Sequence, residues 1–197
     1  QKILLFTSLL VVALVLASLG FTTWQAEKLA QVNIEQGLAE TRSLWETFQA
    51  DRFNKLKLGI RTPSNDTGFK ALVQAAIDEP NDDTLFNTLG ERNQDIGADF
   101  ILATDTNGMV LARSDRAGVK GEDFSQDPIV MRPLEGEESA TVWRQGEALY
   151  HAGSVPVSSQ GNLVGALVAG YGINQALASQ MQKLSHSEVA FLAHGTG

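Results

Sequence analysis

The sequence contains no cysteine in its 197 residues. Disulfides, thiol catalysis and cysteine-based zinc or iron–sulfur sites are therefore excluded, and the fold must be stabilised by core packing alone. Positive charge is also scarce, because 15 Lys and Arg residues stand against 23 Asp and Glu residues and leave a net charge of -8. A chain of this charge repels the phosphate backbone of DNA and RNA, so nucleic-acid binding is not expected.

The motifs of metal, nucleotide and hydrolytic sites are missing as well. Neither a G-x-S-x-G elbow nor a Walker loop occurs. The triplet Gly170-Tyr171-Gly172 does not complete a dinucleotide fingerprint, because Gln175 occupies the sixth position of the motif. The three histidines match no metal-ligand spacing: His151, His186 and His194. We therefore predict no metal, no cofactor, no catalytic residue and no enzymatic activity for this segment.

One long hydrophobic run is present over residues 3–24, and it contains no charge. A helix of roughly 22 residues, rising about 1.5 Å per residue, is long enough to cross the hydrocarbon core of a bilayer. Lys2 precedes the run and the acidic bulk of the chain follows it, so residues 1–24 are predicted to form a transmembrane helix with a cytoplasmic N-terminus. The alternative is a cleaved signal peptide with an unusually long apolar core. It is favoured by small residues near a plausible cleavage site, Ala17, Ser18 and Gly20.

Residues 25–61 predict one long exported helix that continues the membrane span, because helix-forming residues recur there and no proline interrupts them. Its apolar stripe changes phase between two sets, Ile34, Leu38, Thr41, Trp45 and Phe48, then Phe53, Leu56 and Ile60. The first set suits pairing with a second copy of the chain in a homodimer, and the second suits the chain's own core. Docking of the whole helix on its own domain is the alternative. The turn formers of residues 62–68, TPSNDTG, are expected to break the helix.

Two further helices are predicted at residues 69–78 and 84–95, after which the chain changes to strands. The pair Asn107-Gly108 between two apolar runs predicts a β-hairpin. A short helix is expected to begin at Asp127-Pro128, where Asp can cap and Pro suits the first turn. Short turns make the later strands antiparallel. The predicted strands cover residues 100–104, 109–114, 141–145, 148–157 and 163–173.

The last of these strands shows no polar alternation over residues 163–171, which indicates a central strand covered on both faces. The preceding strand is interrupted by Tyr150-His151 and by Pro156, so we expect it to be less buried and to carry a bulge near the proline. A helix at 174–183 is followed by a strand-like run at 189–192 that has no partner left in the sequence. We therefore expect the sequence to be a fragment of a longer protein.

A binding site is predicted between the sheet and the polar, glycine-containing connection of residues 115–126. Concave sites of this kind, with a few polar groups, are where small ligands bind. Aromatic walls are expected from Trp143, Tyr150 and Tyr171, which lie on three different strands, and Arg132 on the short helix offers a planar fork to a carboxylate. Each residue also has a structural interpretation, as core for Trp143 and Tyr171, as rim for Tyr150 and as surface charge for Arg132.

The order of these parts resembles the double Cache sensory domains of bacterial transmembrane receptors, and in particular the double sensory domain of sensor kinases, nucleotide cyclases and chemoreceptors. The resemblance covers residues 25–197. It is carried by the order of the helices, by the hairpin FILATDTNGMVLA at residues 100–112, and by the strand motifs YHAGSVPV at 150–157 and VGALVAGY at 164–171.

The resemblance implies an α+β fold, in which a long N-terminal helix packs on a PAS-like five-stranded antiparallel sheet. It implies a membrane-distal lobe at residues 62–188, the start of a membrane-proximal lobe at 189–197, and beyond them a second membrane helix and a cytoplasmic output domain, such as a kinase or cyclase. It also implies the bacterial inner membrane, with the sensory lobe in the periplasm or outside the cell. The chain departs from the amino-acid-binding subgroup at Gly170, where that subgroup carries Asp, and around Arg132, where the Arg-x-Trp-Tyr spacing is absent.

Three functions are compatible with these features. The first is a sensor that binds a small metabolite and passes a conformational change along the long helix to an output domain. The second is a membrane-tethered scaffold or protein-interaction domain without a ligand, whose pocket is filled by its own side chains. The third is a secreted binding protein whose mature chain begins near Thr22. A closed core with no cavity beneath the connection of residues 115–126 would favour the scaffold.

Overall fold

The computed structural model describes residues 42–79 and 83–185. The chain divides into two compact units, Gln1–Glu46 and Thr47–Gly197. Three predictions lie outside the described residues: the membrane helix within residues 1–24, the first part of the helix at 25–61, and the second lobe at 189–197. Within 42–79 and 83–185, no helix combines the length and the apolar character that crossing a membrane requires.

Helix α1 comprises residues 47–65 of the second unit, and the described residues of the first unit, 42–46, are helical too. The predicted break over residues 62–68 is confirmed at Asp66, although the helix continues to Asn65 rather than ending at about Arg61. A proline in the last turn removes a single backbone hydrogen bond. The side chains of Ser64 and Asn65 donate to the Arg61 carbonyl, each at 3.0 Å, and so satisfy a carbonyl of the last turn.

The remaining elements agree with the predicted order. Asp66 caps the second helix, because its carboxylate accepts a hydrogen bond from the backbone N–H of Phe69 at 2.8 Å. The helices are α2 (Thr67–Asp78), α3 (Thr84–Ile96), α4 (Pro128–Leu134) and α5 (Gln175–Ser185). The strands are β1 (Phe100–Thr104), β2 (Val110–Arg113), β3 (Ser139–Gln145), β4 (Ala148–Ser159) and β5 (Asn162–Gly172).

The five strands form one antiparallel sheet in the order β2-β1-β5-β4-β3. The predicted hairpin is confirmed as β1 and β2, and β5 is confirmed as the central strand. Seven consecutive residues of β5, from 164 to 170, and all five residues of the neighbouring strand β1 are buried, so both strands are covered on both faces. The fold is therefore α+β, with a long N-terminal helix packed on an antiparallel sheet.

Strand β4 is slightly less buried than β5, as predicted, because six of its twelve residues are buried against seven of eleven in β5. Strand β4 lies between β5 and β3, and its residues 151–155 are all buried. Pro156 is tolerated because the pairing of β3 with β4 ends at Ser139 and Ser154, so the proline lies beyond the end of the neighbouring strand. The predicted irregularity is present one residue later, between Val157 and Ser158.

The two faces of the sheet carry separate hydrophobic clusters. On one face, α1, α2 and α3 pack against the strands, and Leu56 and Ile60 of α1 are completely buried. Burying one such side chain stabilises a fold by about 1.5–3 kcal/mol. The other face is covered by α4 and by Phe124 of the connection after β2. Its cluster contains Phe100, Leu102, Ile129, Val130, Trp143, Ala152 and Val168.

Candidate functional site: two clefts on the sheet face opposite α1

Aromatic side chains pack edge to face on the side of the sheet that α4 covers. The ring of Phe100 lies 5.0 Å from that of Tyr150 and 5.9 Å from that of Trp143, and Phe124 lies 5.1 Å from Trp143. These geometries are the favourable ones for aromatic pairs. Trp143 is only 4% exposed, whereas Tyr150 is half-buried at the edge of the cluster. Tyr150 therefore offers part of its surface to a ligand.

Two open clefts flank Tyr150. The first, named the Arg113 cleft, has a volume of about 620 Å³ and is lined by Arg113, Asp115, Arg116, Glu122, Asp123, Phe124, Gln145, Gly146 and Tyr150. The second, named the Gly172 cleft, has a volume of about 440 Å³ and is lined by Asp99, Glu147, Ala148, Leu149, Tyr150, Gly172, Ile173 and Asn174. Tyr150 lines both clefts. Their sizes are within the range that suits small ligands.

Arg113 forms the wall of the first cleft. Its side chain is 1% exposed, and its guanidinium binds Asp115 through two hydrogen bonds of 2.7 and 3.0 Å. It also donates to Glu122 at 3.1 Å and to Gln145 at 3.2 Å, and it lies 5.3 Å from the centre of the Phe100 ring. Because Gln145 belongs to β3 and Arg113 to β2, one side chain joins the two edge strands of the sheet. The guanidinium fork is already occupied and is not free to clamp a carboxylate.

The remaining charges of the Arg113 cleft are mainly negative. Arg116 pairs with Glu122 at 2.9 Å. The carboxylate of Asp123 accepts the backbone N–H of Ser125 at 2.8 Å, and this hydrogen bond lowers the pKa of Asp123. Within the described part of the chain, the Nε2 of Gln145 is buried without a hydrogen-bond partner. The cleft thus offers the Asp123 carboxylate and the rings of Phe124 and Tyr150 to a ligand.

The floor of the Gly172 cleft is backbone. The N–H of Gly172 donates to the Asp99 carboxylate at 2.5 Å, and a β-carbon at residue 172 would lie 3.2 Å from the same carboxylate and 3.1 Å from the Nδ2 of Asn174. A side chain at this position would therefore crowd Asp99 and Asn174 and fill part of the cleft. Glycine keeps the end of β5 accessible from this face.

The structure brings together only part of the predicted set of ligand-binding residues. Trp143 and Tyr150 are paired across β3 and β4, so they share the face that carries the clefts. Tyr171 pairs with His151, the neighbour of Tyr150 in β4. Its ring therefore lies on the opposite face of the sheet, against the hydrophobic cluster under α1. Arg132 is exposed on α4 and lines neither cleft. The ligand-binding roles of these four residues stay predictions.

On the face opposite the clefts, α1 contacts the ends of β4 and β5. The guanidinium of Arg52 donates to the Gly172 carbonyl at 3.2 Å and lies 4.8 Å from the centre of the Tyr171 ring. Burial lowers the pKa of Arg52, and the charge of Asp99 partly offsets this shift. The Tyr171 hydroxyl donates to the Ile96 carbonyl at 3.0 Å. Arg52 and Tyr171 thus join α1, α3 and β5.

His151 of β4 is completely buried beneath α1. The Nε2 of Gln49 lies 3.1 Å from its Nε2, and the Phe53 ring stands edge-on at 5.1 Å. Burial, and secondly the charge of Arg52, lower the pKa of His151 to about 4. The imidazole is therefore neutral at pH 7 and accepts a hydrogen bond from Gln49.

Sequence reasoning missed the polar residues that shape both clefts, namely Asp99, Arg113, Glu122 and Gln145. One signal was available, since Arg113 ends an apolar strand and a buried charge needs partners, which Asp115 and Glu122 downstream supply. The contribution of Gln145 had no local signal, because it depends on the approach of β2 and β3 across the sheet. Within residues 42–79 and 83–185, no group of three His, Asp or Glu residues is arranged to hold a metal ion.

Comparisons with known proteins agree with this architecture. The sensor domain of DcuS from E. coli has a TM-score of 0.58 at 18% identity and covers 68% of this chain and 97% of its own. The periplasmic domain of LuxQ from Vibrio cholerae has a TM-score of 0.52 at 15% identity, covering 76% of this chain and 71% of its own.

The ligand-binding domain of the chemoreceptor Tlp3 from Campylobacter jejuni, solved in complex with 4-methylisoleucine, has a TM-score of 0.52 at 18% identity, covering 76% of this chain and 59% of its own. At these identities the likenesses establish the fold. No curated protein matches the chain. The sequence family described as the double sensory domain of two-component sensor kinases matches residues 31–197. The chain therefore belongs to this family of double sensory (double Cache) domains.

Proposed function

We propose that the chain is the extracytoplasmic ligand-sensing region of a bacterial transmembrane receptor, and that it binds a small metabolite in the clefts beside Tyr150. The observation that carries this proposal is the pair of open clefts beside Tyr150, which are partly lined by aromatic rings, in a chain that belongs to a sensory family. The domain of Tlp3 with bound 4-methylisoleucine and the periplasmic domain of LuxQ support the ligand class and the location.

The proposed organisation extends the predicted one. Residues 1–24 anchor the chain in the inner membrane, residues 25–61 form the signalling helix, and residues 62–188 form the membrane-distal lobe. Residues 189–197 begin a membrane-proximal lobe, and a kinase or cyclase output domain lies in the cytoplasm. Two copies pair through the long helix. Ligand binding favours one arrangement of that helix over another, which is the condition for a ligand to act as a switch.

The site is tested by thermal-shift measurements on the full chain in lipid nanodiscs, with a panel of amino acids, organic acids and amines. We expect one chemical class to raise the unfolding temperature, because a ligand that binds only the folded state stabilises it. Tyr150→Ala removes the shared wall of the clefts and should weaken binding at least about tenfold, or about 1.4 kcal/mol. Tyr150→Phe keeps the ring and should bind nearly as well as the wild type.

Val142→Ala is the matched control. Val142 lies on β3 beside Trp143, but its side chain is exposed on the other face and 46% accessible. This variant should bind the same compound with unchanged affinity. A compound that stabilises the wild type and the Tyr150→Ala variant equally would locate its site elsewhere and contradict the assignment to these clefts.

A scaffold without a ligand is the second candidate, and the packing of Trp143 favours it. This ring is enclosed by Phe100 and Phe124 and contributes to a filled cluster rather than to a cavity. The scaffold hypothesis predicts that no compound in the panel shifts the unfolding temperature, while the chain is captured by a membrane or periplasmic protein. The open clefts on both sides of Tyr150 favour the sensor.

A further inference from the structure

Both backbone polar groups of Gly172, at the end of β5, form hydrogen bonds with side chains. Its N–H donates to Asp99 at 2.5 Å, and its carbonyl accepts a hydrogen bond from Arg52 of α1 at 3.2 Å. The same residue lines the Gly172 cleft on the opposite face of the sheet. Gly172 therefore contacts the Arg52 side chain of α1 and also lines the cleft that a ligand would occupy.

The strand register extends this link to Tyr150. Gly172 is paired with Tyr150, and Tyr171 is paired with His151. Because successive side chains of a strand point to opposite faces, Tyr150 faces the clefts while His151 and Tyr171 face α1. Arg52 lies over the Tyr171 ring, and Gln49 binds His151 at 3.1 Å. A shift of α1 relative to these strand ends therefore moves the residues that form the cleft.

Arg52 differs from Arg113 in how tightly it is fixed. Among the described residues, Arg113 makes four hydrogen bonds, whereas Arg52 makes one, to Gly172, and lies over the rings of Phe48 and Tyr171. Its Nε is buried, and among residues 42–79 and 83–185 it has no hydrogen-bond partner. A buried donor without a partner leaves an alternative arrangement of the guanidinium open.

We propose that Arg52 is the positioning residue that couples α1 to the two clefts, by holding the Gly172 carbonyl behind the wall that Tyr150 forms. The inference rests on the ligand-sensing function proposed above and identifies the contact that couples α1 to the ligand site. Coupling between two sites is reciprocal. A change in Arg52 must therefore be detectable at Tyr150, even when no ligand is present.

The two tyrosines of the chain make this measurable, because Tyr150 and Tyr171 are the only ones and lie on opposite faces. The full chain labelled with 3-fluorotyrosine gives one fluorine NMR signal from each, and the spectrum of a Tyr150→Phe sample assigns them. In Arg52→Met, the Tyr171 signal should shift because the cation over its ring is lost. We expect the Tyr150 signal to shift as well, by more than its linewidth.

Lys55→Met is the matched control. It removes a positive charge from the same helix, but Lys55 pairs with Asp51 within α1 and makes no hydrogen bond to the end of β5 among the described residues. The Tyr150 signal should stay in place in this variant. A Tyr150 signal that also stays in place in Arg52→Met would overturn the proposal and reduce the Arg52 contacts to local packing.

A second variant covers the case in which Arg52→Met does not fold. Gln49→Ala removes the hydrogen bond to His151, the chain neighbour of Tyr150, and should shift the Tyr150 signal without removing the charge of Arg52. An unchanged signal in this variant counts against coupling through β4 and β5. Failure of the metabolite screen would remove the sensing function but not the coupling, so the two results are independent.

Discussion

His151 and Arg113 show how two polar side chains are buried on opposite faces of one sheet. The buried guanidinium of Arg113 is paired with two carboxylates, Asp115 and Glu122, and with the Gln145 amide. His151 lies between Gln49 and Phe53 and is buried in its neutral form, because burial and the charge of Arg52 lower its pKa. The first arrangement fixes the wall of a cleft, whereas the second makes the contact between α1 and β4 dependent on pH.

The stability of the fold should therefore decrease on acidification. The pKa of His151 is lowered to about 4 from an ordinary value of 6.5, so the unfolded chain binds a proton that the folded chain does not bind between these values. The contribution is fully present above about pH 6.5 and is lost as the pH falls towards 4. We expect up to about 2 kcal/mol less unfolding free energy at pH 5 than at pH 7, measured by urea denaturation.

His151→Leu separates this effect from the titration of carboxylates. The variant should be less stable at pH 7, because Gln49 loses its acceptor, but its stability should change less between pH 7 and pH 5. An equal loss of stability on acidification in both proteins would show that other groups are responsible.

Residue types were easier to predict than the face on which each residue lies. The sequence indicated that Trp143, Tyr150 and Tyr171 belong to strands, and the structure places each of them in a strand. Whether two of them share a face depends on the register of β4 with β5, and a shift of one residue exchanges the faces. No local pattern sets that register, because the turn between the strands admits more than one pairing.

At the scale of the elements, β1 and β5 approach each other closely at Gly165. A β-carbon at this position would overlap the carbonyl oxygen of Thr104, where the register of β1 with β2 is also irregular. Gly165→Ala should destabilise the fold by about 1–3 kcal/mol, because strand backbone rather than a flexible side chain must move. Chemical denaturation of the variant and the wild type measures the difference.

Gly90→Ala provides the matched control, since the same atom is added within α3 and nothing lies within 4 Å of it. Alanine favours a helix interior, so this variant should gain about 0.5–1 kcal/mol. Equal effects of the two substitutions would contradict the close approach of the strands at Gly165.

The elements themselves were largely predictable, for identifiable reasons. Asn107-Gly108 determined the hairpin, and the uninterrupted apolar run of residues 163–171 indicated the central strand. Two details depend on tertiary contacts rather than on a local preference. Helix α1 passes through Pro63 before it breaks at Asp66, and β4 is buried at His151 because β3 adds to its outer edge and α1 covers that side chain.

At the scale of the whole molecule, the membrane anchor remains a prediction that fractionation can test. The chain expressed in bacteria with residues 1–24 should float with membrane vesicles and resist extraction with alkaline carbonate, because about 20 apolar residues partition into the bilayer. A version that begins at Gln25 should be recovered in the soluble fraction. Release of a product that begins near Thr22 would instead support the secreted binding protein.

The end of β4 beyond Ser154 affects how readily the chain aggregates with other molecules. Beyond Ser154, β4 has no neighbour on the side of β3 among the described residues, so residues 155–159 present a free backbone edge. Such edges recruit strands from other molecules and start aggregation. Pro156 lies at this edge and lacks an N–H, so a foreign strand cannot form a regular ladder there. The proline that interrupts the strand pattern therefore protects this edge of β4 against pairing with a strand of another molecule.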